Sequence, residues 1–254
     1  MTEINTPNIN NSFFQGRYKQ IWRETIPEEL TLREIDFIIQ YFHLKKGDKV
    51  LDLMCGYGRH TIGLARKGIQ TTAVDNLDEY IIEIRKIAQE ENLPVTCIES
   101  DVIGFESAAA VYDLTICMGN SLNFFGEEDT IKLMRKISDV TRSGGTLLIH
   151  TWSLAEIISK NFKEKTWSYV GGFKFLADNK YLLNPSRVQT ENFFIAADGT
   201  VEQKIGVDYI FSINEIDSML KKANFEMKEI YSIPGKKKFT LGEPRAYIVA
   251  EKHE

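Results

Sequence analysis

Short apolar runs and amphipathic stretches take turns along most of this chain. Ile35, Ile38, Ile39 and Phe42 recur at i, i+3, i+4 and i+7 behind Thr31 and Glu34, which stand at capping-box spacing, so the pattern predicts a helix over 32–43. The runs 49–53, 70–74, 95–98, 113–118 and 146–150 read as strands. Between them, 59–67 closed by Gly68, the stretch lined by Leu77, Tyr80, Ile81, Ile84 and Ile87, and the stretch lined by Ile131, Met134, Ile137 and Val140 read as helices. This alternation predicts an α/β fold, a doubly wound and mostly parallel seven-stranded sheet with helices on both faces.

The period changes after a short helix near 153–160. Residues 166–211 alternate with period two, Asp198-Gly199 is a hairpin signal, and Val201, Ile205, Val207, Tyr209 and Phe211 share one face, with Gln203 the exception. They predict an inserted antiparallel sheet whose apolar face covers the carboxyl rim of the main sheet. Ser212 and Glu215 repeat the capping-box spacing before Ile216, Met219, Leu220 and Ala223, and strands near 225–233 and 246–251 close the chain. Residues 1 to about 17 are polar, Asn-rich and without periodicity, which predicts a mobile leader, with regular structure starting near Tyr18. The expected organisation is a leader or lid over 1–31, a ligand-binding unit over 32–160 and 212–254, and an antiparallel insertion over 161–211.

Composition narrows the function classes. The 254 residues are 43 % hydrophobic and 26 % charged, values of an ordinary globular chain, and the net charge of −5 argues against a phosphate-backbone partner. Cys55, Cys97 and Cys117 are too few for a disulfide framework and too widely spaced for a zinc knuckle, which suits a reducing cytoplasm and no metal site. No export signal and no run of 18 apolar residues occurs, so no membrane association is expected, and a monomer or homodimer is.

The strongest local signal is Val50-Leu51-Asp52-Leu53-Met54-Cys55-Gly56-Tyr57-Gly58-Arg59-His60: a strand, a glycine-rich turn and a helix. Gly56 and Gly58 permit positive φ and let a ligand approach the first helical amides, although a tight turn needs glycine for steric reasons alone. Asp75 ends the second strand 19 residues beyond Gly56, placed either to take ribose hydroxyls or to cap the next helix, and Asp101 follows the third strand. Asp52, Asp75 and Asp101 thus fall at three successive strand ends, on the edge where open α/β sheets bind ligands. Thr61 occupies the third position of a G-x-G-x-x-G motif, and a rim of carboxylates suits a cationic ligand better than a pyrophosphate.

On Asp52 to Gly58, Asp75, Asp101-Val102, the fourth strand Tyr112 to Met118, and Arg142-Ser143-Gly144-Gly145, the chain resembles the class I S-adenosylmethionine-dependent methyltransferases, with their Rossmann-like sheet. The resemblance implies S-adenosylmethionine as cofactor, with Asp52 and the Gly56–Gly58 loop at its methionine end, Asp75 at the ribose, and Asp101 and Val102 at the adenine. It further implies cofactor contacts from Tyr18, Trp22, Cys55, Asn76, Met118 and Asn120. Gly119-Asn120-Ser121-Leu122-Asn123-Phe124-Phe125 lacks the Asn- or Asp-Pro-Pro-aromatic motif of base methylation. That segment and the antiparallel insertion look like those of small-molecule enzymes related to the glycine/sarcosine and aminosugar N-methyltransferases.

The expected reaction is methyl transfer to nitrogen or oxygen of a small-molecule acceptor, with His150, Asn120 and Tyr18 as catalytic candidates. Ser121 and Trp152 are further acceptor contacts, and His150 acts as base if its pKa sits near 7. Each has a packing alternative: His150 ends an apolar strand, Tyr18 and Trp22 stand i, i+4 on a helix, His60 reads as structural, and Lys236 to Lys238 as a solvated turn. Two other functions stay open. One is a non-catalytic cofactor-binding sensor or assembly protein, suggested by Met54 at the position of the usual first loop glycine; the other is a dinucleotide-dependent reductase.

Overall fold

Strands with near-continuous apolar runs can be buried only between two layers of helices, and that is where the chain places them. The computed structural model describes residues 8–106 and 110–253, so the first seven residues of the expected leader lie outside the described residues. An eight-stranded sheet forms from β1 (Lys49–Leu53), β2 (Gln70–Asp75), β3 (Val95–Glu99), β4 (Tyr112–Cys117), β5 (Thr141–Thr151), β10 (Phe225–Ile233), β11 (Lys237–Lys238) and β12 (Ala246–Lys252). Its order is β11-β10-β12-β5-β4-β1-β2-β3; the five strands from β3 to β5 run parallel, and β12 pairs antiparallel with β5 and β10. The two-residue β11 adds an eighth strand to the seven expected: Lys237 and Lys238 pair there with Ile233 and Tyr231, Lys236 lies in the turn as expected, and all three are exposed.

Each face of the sheet has its own core. On one, Ile35 and Ile38 of α2 (Glu28–Tyr41) and Leu64 of α3 (Arg59–Arg66) pack on Val50, Leu114, Ile116 and Leu148. On the other, Leu133, Met134 and Ile137 of α5 (Glu127–Val140), Ile157 of α6 (Ala155–Asn161) and Ile216 and Met219 of α7 (Ile213–Lys222) pack on Leu51, Leu53 and Leu147. Ile84 of α4 (Asp78–Glu90) packs with Ala73 and Ile62 beside β2. The expected helices recur within a few residues at their ends. The largest difference is α2, which starts at Glu28 behind Pro27, so Thr31 and Glu34 lie inside the helix and form no capping box. Ser212 and Glu215 do form one at the start of α7.

A second sheet, β6 (Lys165–Val170), β7 (Phe173–Leu183), β8 (Ser186–Ile195) and β9 (Val201–Tyr209), is antiparallel throughout, in that order. Its facing departs from the expectation at one end of β9 only: Val207 lines the cavity, Tyr209 packs on the core and Phe211 is buried, as expected, but the start of the strand is turned the other way. Val201 and Ile205 are 57 % and 40 % exposed, whereas Gly206 of the alternate set is buried, as are Asn192 and Phe194 of β8. Where β9 starts, the inner side covers a polar cavity, so period two gave the strands correctly but placed Val201 and Ile205 on the wrong face. The leader also differs: Asn8 caps a 3-10 turn at Ile9–Ser12, and α1 spans Arg17–Thr25.

Glu34, 1 % exposed, joins three elements. It accepts from Arg59 Nη1 and Tyr247 Oη, and its Oε2 lies 3.0 Å from His60 Nε2. Burial alone would raise its carboxyl pKa, but the hydrogen bond from His60 and the charges of His60 and Arg59 hold it well below the usual 4.5. A depressed folded-state pKa means that the stabilisation is complete above about pH 4.5 and is lost as pH falls toward the folded value. Glu34→Gln is expected to cost about 3 kcal/mol at pH 7 in urea unfolding. The gap from wild type should narrow below pH 4.5; a gap constant down to pH 3 would contradict this account.

Candidate active site

The turn from β1 into α3 is shaped by its backbone. Met54, Gly56 and Gly58 all have positive φ, at 55°, 55° and 76°. At Gly58 a Cβ would also stand 2.5 Å from Ile84 Cγ1, so glycine is required there twice over. Met54 accepts the left-handed conformation as a non-glycine residue, at a cost of roughly 1–2 kcal/mol, and its side chain packs against the core. Asp75 fastens this loop to the next strand: its Oδ2 accepts from Gly56 N at 2.8 Å and its Oδ1 from Leu77 N at 3.0 Å. Asp52 anchors α3 by accepting from Thr61 N at 3.1 Å and Thr61 Oγ1 at 2.6 Å, both on Oδ2. Asp101 turns one oxygen back to Ile103 N at 2.8 Å.

These three carboxylates line a single cavity at the carboxyl edge of the parallel strands. Burial raises the pKa of Asp52 and of Asp75, and for Asp75 the neighbouring Asp52 adds to it. Cys55, in the same wall, is pushed well above the usual thiol value by burial and by the charges of Asp52 and Asp75. Arg59 is the cavity's guanidinium, and Glu34 pairs with it. Among the described residues, no group of three or more His, Cys, Asp or Glu could hold a metal ion, and no helix is long and apolar enough to cross a membrane.

Tyr18, Trp22, Asp52, Cys55, Gly56, Asp75, Asn76, Asp101, Val102, Met118 and Asn120 all line this cavity, as do Ser121 and Trp152. Gly58 and His150 are not among its lining residues. Gly58 acts one step back, by letting the loop turn. His150 is 4 % exposed and stacks on Tyr247 at 4.3 Å, and its Nδ1 accepts from Gly119 N at 3.3 Å. Burial lowers its pKa to about 3, far from the value near 7 that a base there would need.

The far wall comes from the second sheet and the leader, and includes residues that the sequence pattern did not single out: Asn10, Phe14, Thr190, Asn192, Gly206 and Asp208. Asn10 is stitched to β9 along the backbone, its Nδ2 donating to Val207 O at 2.8 Å and its Oδ1 accepting from Val207 N at 2.9 Å. Gly206 makes room for this approach, since a Cβ would lie 3.0 Å from Phe13. The polar alternation of Glu202, Lys204, Gly206 and Asp208 was the one available signal, and it reads equally well as a solvated face. Tyr18 and Trp22 of α1 stack at 6.0 Å, and Trp22 meets Trp152 at 5.8 Å.

Asn120 joins the two walls. It is wholly buried, with φ 72°, and its Oδ1 accepts from Thr151 Oγ1 and Trp152 N at 2.9 Å and from Ser153 N at 3.1 Å. Its Nδ2 donates to Ser153 Oγ at 2.9 Å and to Asp208 Oδ1 at 3.1 Å. Asn123 reinforces the join by donating to Ser153 O and Tyr209 O.

A family model described as a methyltransferase domain matches residues 50–145. The glycine/sarcosine N-methyltransferase of Aphanothece halophytica is 26 % identical over 175 residues, 68 % of this chain and 66 % of that protein, so the alignment spans just under two thirds of that relative. The CcbJ methyltransferase of Streptomyces caelestis superposes with a TM-score of 0.82 at 16 % identity, covering 96 % of this chain and 99 % of that one. The S-adenosylmethionine-bound structure of CalS10, an amino pentose methyltransferase from Micromonospora echinaspora, gives 0.70 at 16 % identity, over 94 % and 97 % of the two chains. At these identities, the two structural matches establish the fold.

Asn120→Gly keeps the left-handed backbone and removes the side chain that joins the walls. It is expected to lower stability by about 2–4 kcal/mol, because the Trp152 N–H loses its acceptor and Asp208 its donor. Chemical denaturation measures this, and a loss below 1 kcal/mol would show that the join is dispensable.

Proposed function

Because this chain is a class I S-adenosylmethionine-dependent methyltransferase, we propose that it methylates a small-molecule acceptor held between the strand rim and the antiparallel sheet. The observation that carries this reading is the shared cavity: Asp52, Asp75 and Asp101 stand on its rim side, Asn10, Asn192 and Asp208 on its roof side. The residues present fit the cofactor by charge, since its sulfonium and ammonium meet three carboxylates and no unpaired cation. When bound, the cofactor supplies an activated methyl group.

The chain's own residues then bind, orient and exclude water. Asp75, with the Gly56 loop and Asn76, holds the ribose; Asp52 and Cys55 stand at the methionine end; Asp101, Val102 and Met118 stand around the adenine. Tyr18 and Trp22 of α1, with Asn10 in the turn before it, close the cavity over the acceptor as a lid. Most of the acceleration comes from holding the acceptor atom in line with the reacting carbon, roughly 3–3.5 Å away, in a dry site. Tyr18 stays neutral there because burial, and then the charge of Asp208, raises its phenol pKa. His150, neutral and behind the wall, positions the Gly119 backbone and takes no proton. The net charge of −5 speaks against a nucleic-acid partner, and the three free cysteines suit a reducing compartment, the cytoplasm.

Calorimetry with S-adenosylmethionine and S-adenosylhomocysteine tests the reading. Both are expected to bind, and Asp75→Ala should weaken each by about 1–3 kcal/mol. Asn10→Ala should raise the acceptor KM more than it lowers kcat, because it unfastens the lid from β9. No binding of either compound at millimolar concentration would refute the assignment.

A further inference from the structure

We infer that Asp208 is the acceptor anchor and proton acceptor of this enzyme, and that the acceptor is a small amine that enters as its ammonium ion; the inference rests on the methyltransferase reading above. Asp208 lies on the inner side of β9 and lines the same cavity as the rim carboxylates. Among the described residues it accepts one hydrogen bond, from Asn120 Nδ2, and no Lys, Arg or His nitrogen lies within 4.0 Å of it. The Asn120 amide is held in this orientation, because its Oδ1 accepts from the backbone N–H groups of Trp152 and Ser153. One carboxylate oxygen is therefore fixed toward the rim and the other is left for a ligand.

The surroundings select the ligand's charge. Phe14, Tyr18, Trp22, Trp152 and Phe175 put aromatic surface on the cavity, which favours a cation over a neutral group of the same shape. An anionic acceptor would face four carboxylates, with the one guanidinium already paired to Glu34. The titratable side chain whose charge couples to Asp208 from α1 is Tyr18, which burial keeps protonated. Burial also holds the Asp208 carboxyl up at about 7, where it can take a proton from an ammonium and return it to solvent. The step balances. The ammonium passes one N–H proton to the carboxylate, the freed lone pair forms the N–C bond as the methyl carbon's bond to sulfur breaks, and the products are a methylated ammonium and a neutral thioether.

The test is binding selectivity in the full chain saturated with S-adenosylhomocysteine, with cyclohexylammonium, cyclohexanol and cyclohexanecarboxylate as probes of matched shape at pH 8. Calorimetry is expected to give cyclohexylammonium a Kd at least ~10-fold below that of cyclohexanol, with the carboxylate weakest. Asp208→Asn should cut that preference to under about threefold while S-adenosylhomocysteine binds as in wild type, which also reports that the variant is folded. Equal or tighter binding of cyclohexanol or the carboxylate to wild type overturns the inference without any variant, as does a preference that survives in a folded Asp208→Asn. Failure of S-adenosylhomocysteine itself to bind would instead refute the methyltransferase reading.

Discussion

The amide of Asn120 sets the spacing between the two halves of the site. Two backbone N–H groups just past β5 converge on its oxygen, the Thr151 hydroxyl is shared between it and Asn123, and its nitrogen reaches Ser153 and the roof carboxylate Asp208. Buried polar groups are costly unless all are partnered, so a network this complete has few alternative arrangements. It fixes the parallel sheet, whose rim lines one side of the cavity, against the antiparallel sheet that lines the other. Glu34 does the corresponding task for the loop side, tying Arg59 and His60 at the start of α3 to α2 and β12.

Electrostatics and shape then favour the same kind of occupant. Asp52, Asp75 and Asp208 are each pushed by burial toward the neutral form, so the unliganded cavity holds charge at a disadvantage. A cation would relieve that penalty at either wall, which suits the proposed cofactor sulfonium and the proposed acceptor ammonium alike. The aromatic groups of α1 and the β5 end line the same cavity and add apolar surface without adding opposing charge.

Much of this was legible in the sequence because it rests on periodicity and on acids at strand ends. Strand positions, helix faces, Asp52, Asp75, Asp101 and the glycine turn are local features, each set by residues close in the chain. What escaped the reading depends on contacts distant in sequence. Glu34 has the spacing of a cap and the environment of a core ion pair, and only β12, some two hundred residues on, supplies Tyr247. Likewise the apolar side of β9 looks like the covered one until the sheet is seen to roof a polar cavity, which puts Asp208 inside and Ile205 outside. His150 has the chemistry of a base, but the stacking of Tyr247 and the Gly119 amide seal it behind the wall.

Asn10 reads only main chain on β9, bonding the N–H and the C=O of Val207. Closure is thus indifferent to most roof side chains, apart from the absence of one at position 206. Thr190 and Asn192 take no part in that fastening, so they could be exchanged for other contacts while it survives. The fold thereby separates how the chamber shuts from what it admits, an arrangement in which new substrates can be acquired by drift in a few inward positions.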